Sequence, residues 1–141
     1  MFSSNSNKRR LYIAFFHRAP TEANPLPYHT ALLVTPKNPD AESDNKDSRL
    51  FHVVNRIDSS TREDTWCFEP RETRSRTQKL AGVMLLGKVP NGISDKDIEN
   101  ILANVPRKKL VRDDRSWRCR HWVWEALAVC IVIPSSSFTS R

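Results

Sequence analysis

Glycine is scarce, with three in 141 residues. Neither GxGxxG nor GxxxxGK[ST] occurs, so the usual backbone cradles for nucleotide phosphates are excluded. Cysteine is equally sparse: Cys67, Cys119 and Cys130. An odd set of this size is no disulfide scaffold, and without CxxC or HxxxH spacing a structural zinc site has no support. The apolar run after the basic N-terminus, LYIAFF at residues 11–16, is too short for a signal peptide core or a membrane span. A cytoplasmic location, no integral membrane segment, and no metal or organic cofactor are therefore expected. No motif sets an oligomeric state.

What is abundant is positive charge. Lys and Arg total 23 against 16 Asp and Glu, a formal net charge of +7. Such a balance favours anionic partners, RNA among them. Arg107, Lys108, Lys109, Arg112, Arg115, Arg118 and Arg120 form the densest cluster, with Trp117 and Trp124 interleaved. Arg71, Arg74, Arg76 and Lys79 form a second cluster, and Lys8, Arg9 and Arg10 a third.

The length suits one domain. Residues 1–10 are polar and read as a disordered N-terminus, residues 11–133 as a single domain, and residues 134–141 as a flexible tail. Strands are expected at residues 11–16, 28–34, 49–55, 65–69 and 80–89, with Gly82 and Gly87 marking bulges in the last. Ser94 and Asp97 then make a capping-box pair ahead of Ile98, Ile101, Leu102 and Val105. A second helix, capped by Asp113, Asp114 or Ser116, carries Cys119, Trp122, Val123, Ala126, Leu127 and Cys130 on one face. Strands followed by helices give an α+β fold with an antiparallel sheet packed against a Cys-bearing helix.

Cys119 opens that helix, where unpaired N–H groups and nearby arginines favour a thiolate. A thiolate needs a base, and the histidines are His17, His29, His52 and His121. Strand alternation puts His29 on one face with Ala31 and Leu33, and His52 with Leu50 and Val54. A polar ring in the middle of an apolar strand calls for a reason. Taken singly, each histidine and Cys119 fits a core position; their combination suggests thiol chemistry, with His17 at the rim and His121 on another side of the helix.

The order YHTALLV, RLFHVVN, WRCRHWVWEAL resembles the circularly permuted papain-like hydrolases, in particular the lecithin:retinol acyltransferase-like group. That group carries H-W-A-[IL]-Y-[VL], then a second strand histidine, then a helix opening N-C-E-H-F-V. The resemblance implies Cys119 as nucleophile, His29 as base and His52 as the orienting residue. It puts His121, Trp122 and Val123 at the trailing motif positions. Arg118 stands where asparagine is common in the motif, and Arg120 replaces an acidic residue. The chain also resembles a group of small fungal proteins sharing Y-H-x-A-L-L-V, a late G-K-V strand and W-x-C-x-x-W-V. The expectation is a cysteine-dependent hydrolase or acyl or aminoacyl transferase acting on a small-molecule or carrier-bound acyl substrate. Arg115, Trp117, Arg118, Arg120 and His121 would line its substrate side. The competing expectation is a binding protein for anionic ligands such as RNA, which keeps the fold without the activity.

Overall fold

The computed structural model describes residues 8–19, 28–39, 46–57, 59–60, 64–75, 77, 79–105 and 119–132. Five strands, β1 (Arg10–His17), β2 (Tyr28–Thr35), β3 (Ser48–Ile57), β4 (Asp64–Thr73) and β5 (Leu80–Lys88), precede α1 (Asp95–Ala103) and α2 (Cys119–Val132). The strands form one antiparallel sheet in the order β4-β3-β2-β1-β5. The class is α+β, and α2 is the helix that carries Cys119.

Each strand matches its sequence pattern, with one correction of length. β4 was expected to end near Glu69 but continues to Thr73, paired with β3 from Ile57↔Asp64 to Ser48↔Thr73. It passes through Pro70, which an edge strand tolerates because one side of its backbone lies outside the ladder. The register of β1 against β5 shifts between Leu11 and Tyr12, opposite Gly87 and Leu85, and again between Phe15 and Phe16, opposite Gly82 and Leu80. The two glycines thus mark bulges, as their positions predict.

The two faces of the sheet differ. Leu11, Ile13, Leu32, Val34, Phe51 and Val53 face α1 and α2, and join Ile98, Leu102, Val105, Cys119, Trp122, Val123 and Ala126 in the main core. Phe68 fixes where α2 sits: its ring stacks on Phe51 at 6.4 Å and meets Trp122 at 5.6 Å. The opposite face carries a smaller cluster of Ala14, Ala31, Leu33 and Leu50, with Tyr12, Phe16 and Leu80 against it. The sequence leads one to expect the apolar face of α2 against Leu33, Val53 or Val54, and Leu85, and two of these partners are corrected. Leu33 belongs to the smaller cluster, and Leu85 is exposed on β5. Val53 is in the main core as expected, Leu127 is only partly buried, and the side chain of Cys130 lies outside the described residues.

α1 begins at the expected box: Ser94 Oγ accepts from Asp97 N at 3.0 Å, and the Asp97 carboxylate accepts from Ser94 N at 2.9 Å. Arg9 ties the helix start to the sheet through Asp95 and the Ile93 carbonyl, and Arg49 on β3 reaches Glu99 at 2.9 Å. The proposed caps of α2, Asp113, Asp114 and Ser116, lie outside the described residues, as do residues 1–7 and 133–141.

Candidate functional site

β2 and β3 bring the two strand histidines together. Their register pairs Leu32 with Phe51 and Leu33 with Leu50, so Ala31, Leu33 and Leu50 share one face. Alternation carries His29 and His52 onto that same face. There His29 Nε2 lies 2.7 Å from His52 Nδ1, a hydrogen bond, with the rings edge to face at 4.9 Å. The convergence expected of these two residues is thus present in the structure. His52 is 5% exposed and His29 half-buried.

Behind His52 stands a carboxylate. The β3–β4 ladder pairs His52 with Glu69, and Glu69 Oε1 lies 3.6 Å from His52 Nε2. Glu69 is held from its other side by Arg56 at 2.5 Å and by Arg71 at 3.7 Å. The arginine hydrogen bond keeps its carboxyl below the usual range, helped by His52 and Arg71 and opposed by burial. Arg18 approaches from the end of β1 and donates to the Tyr28 carbonyl at 2.9 Å. Cys67, paired with Val54, shares the face of Glu69 and is half-buried, outside any disulfide.

Both imidazoles are held neutral near pH 7. Burial pushes His29 down to about 4, reinforced by His52 and Arg18 and partly offset by Glu69. His52 is lowered by burial first; Glu69 opposes the shift, while Arg71 and Arg56 add to it. The arginines that disfavour an imidazolium here make the local field positive, a field that attracts an anion.

Cys119 does not join this group. It is 3% exposed and packs in the main core with Leu32, Val34, Phe51 and Val53, the alternate strand positions to those of the histidines. The side chains at His29 and His52 lie on one sheet face and α2 packs on the other, so the expected triad of Cys119, His29 and His52 is resolved into a histidine pair and a core cysteine. Alternation shows which residues share a face but not which face a later helix covers. Arg120 and His121 are half-buried in the first turn of α2. Arg115, Trp117 and Arg118 lie outside the described residues, as does the rest of the cluster from Arg107 to Arg112. His17 sits at the rim as expected, exposed, its ring 5.7 Å from that of Tyr28.

The residues that sequence reasoning missed are Glu69, Arg56 and Arg18; Arg71 stood out only as part of a basic run. Glu69 sits in TWCFEPRET, where neither position nor neighbours announce a role. Only the register, which sets it opposite His52, reveals it. Among the described residues no group of three or more His, Cys, Asp or Glu side chains could hold a metal ion, and no helix is long and apolar enough to cross a membrane.

No curated protein and no solved structure matches the chain. A family model matches residues 8–133, which spans the whole described fold, and the chain belongs to that family of unknown function, DUF6914.

Proposed function

We propose that this protein binds an anionic ligand through a phosphate or carboxylate group, seated where His29 and His52 meet between Arg18 and Arg71. The observation that carries this is the hydrogen-bonded histidine pair on the sheet face opposite Cys119. The element order, two histidine strands and then a cysteine helix, supports a permuted papain-like scaffold kept for binding rather than for thiol chemistry. Two arguments weigh against a thiol hydrolase. The Cys119 sulfur belongs to the core on the far face. A base held down at about 4 is also far from the near-neutral value that serves general-base catalysis.

The positive field of Arg18, Arg56 and Arg71 draws an anion to the pair, and the neutral imidazoles meet it with hydrogen bonds. A phosphate can come free or as part of RNA, and the two sources share this chemistry.

The test is to follow the His29 and His52 imidazole resonances by NMR while adding inorganic phosphate, and separately a short oligoribonucleotide. The expected result is movement of both signals, weaker at higher salt and weaker in Arg71→Ala. A response to the oligoribonucleotide alone assigns RNA as the source. Histidines that stay silent with both probes refute the proposal. So does fast alkylation of Cys119 below pH 7 that slows in His29→Ala, which would restore the thiol enzyme.

A further inference from the structure

The histidine pair holds a single proton between its facing nitrogens, and two arrangements are open to it. In one, His52 Nδ1 donates to His29 Nε2. His52 Nε2 then keeps a lone pair, buried and 3.6 Å from the Glu69 carboxylate, with no donor between them. In the other, His52 carries its proton on Nε2, toward Glu69, and His52 Nδ1 accepts from His29 Nε2–H at 2.7 Å. The first sets a lone pair against a negative charge; the second sets an N–H dipole toward it. Glu69 stays charged and in place because Arg56 and Arg71 hold it. The second arrangement is the stable one.

Its consequence lies at the far end of the chain. His29 has its proton on Nε2, so its Nδ1 is an acceptor. Among the described residues nothing hydrogen-bonds that nitrogen, and His29 is half-buried rather than sealed. A ligand meeting it must bring a donor, while the arginines around the site ask for negative charge.

We infer that Glu69 fixes the tautomer of the His29–His52 pair and so selects a ligand with a hydrogen-bond donor beside its negative charge, a protonated phosphoryl group over a bare oxyanion. This rests on the anion-binding reading above. Glu69 acts here as a positioning residue, through His52. A fully deprotonated tetrahedral oxyanion would set an oxygen lone pair against His29 Nδ1, a mismatch that buried polar sites reject strongly.

Phosphate and sulfate separate the two cases, because they share size and shape but only the phosphate monoanion carries P–OH donors. Both are titrated at about pH 5.5, where His29, held near 4, is still mostly neutral. The wild-type protein is expected to bind phosphate at least ~10-fold tighter than sulfate, one well-matched hydrogen bond's worth. Nitrogen NMR of the imidazoles should show the proton of His29 on Nε2 and that of His52 on Nε2. In Glu69→Gln the side-chain amide can face either tautomer, so the preference should fall to within ~2–3-fold. Glu69→Asp, which keeps the charge, should restore part of it and controls for loss of packing. Equal binding of the two anions by the wild type, or a proton found on His29 Nδ1, overturns the inference and leaves the anion site standing. Binding of neither anion overturns the inference, and with silence toward the oligoribonucleotide as well it overturns the anion site too.

Discussion

At the scale of single residues, the histidine pair makes stability depend on pH in a window of its own. In the unfolded chain a histidine titrates near 6.5; in the fold His29 is held down to about 4, and His52 is also lowered. A depressed pKa means that the unfolded state takes up protons first. The stabilisation is complete above pH 6.5 and is lost as the pH falls toward 4, by about 3 kcal/mol for His29. Glu69 and Asp47, whose carboxyls are also held low, act only further down the scale. Urea denaturation at pH 7.5, 6 and 5 should show the loss already under way at pH 5, and His29→Gln should flatten it. A wild-type midpoint that stays constant over that range would falsify the neutral pair.

At the scale of elements, the two helices are held by different means. α1 is short and leans on its ends: the Ser94–Asp97 box, the Arg9 clamp on Asp95, and Arg49 on Glu99. Ser94→Ala should lower stability by about 1 kcal/mol, read as a shift in denaturant midpoint with unchanged slope. α2 leans on its buried stripe, above all Trp122, which is fully buried against Phe68. Trp122→Ala should cost about 3–5 kcal/mol, and Leu127→Ala clearly less, because Leu127 is only partly covered. Equal costs would mean that the stripe is rotated about the helix axis. Both helices and all five strands were legible from sequence because their signals are local: alternation, a cap three residues from its partner, glycines at the bulges. The meeting of His29 with His52 was legible in part, since phase puts His29 with Ala31 and Leu33 and His52 with Leu50, while the register of β2 against β3 joins the two faces. Glu69 was not, because its role exists only in the register of β3 against β4. The side on which α2 docks was not either, since Leu32 and Leu33 are equally apolar and nothing local says which of the two faces the helix covers.

At the scale of the whole molecule, a net charge of +7 should draw anions over distances beyond any single contact, so ligand capture should slow as salt is added. The sheet also ends in an adhesive edge. On β5, Val83, Met84 and Leu85 are 47%, 55% and 56% exposed, and no charge interrupts residues 80–87. Open edges of this kind pair with other chains. Leu85→Lys should reduce light scattering in concentrated or heated samples, while the thermal midpoint changes little. The placement of β5 has a consequence in time as well as in space. β1 is made first, yet its outer neighbour is β5, paired from Arg10 with Lys88 to Phe16 with Leu80. That closure spans most of the domain and is entropically the slowest pairing of the sheet. β2, β3 and β4 are consecutive, and they alone carry His29, His52 and Glu69. On the ribosome, a chain that has emerged only as far as β4 already holds every strand of the histidine site, while one side of β1 waits for a partner. The histidine pair and its carboxylate can therefore meet before the scaffold is finished.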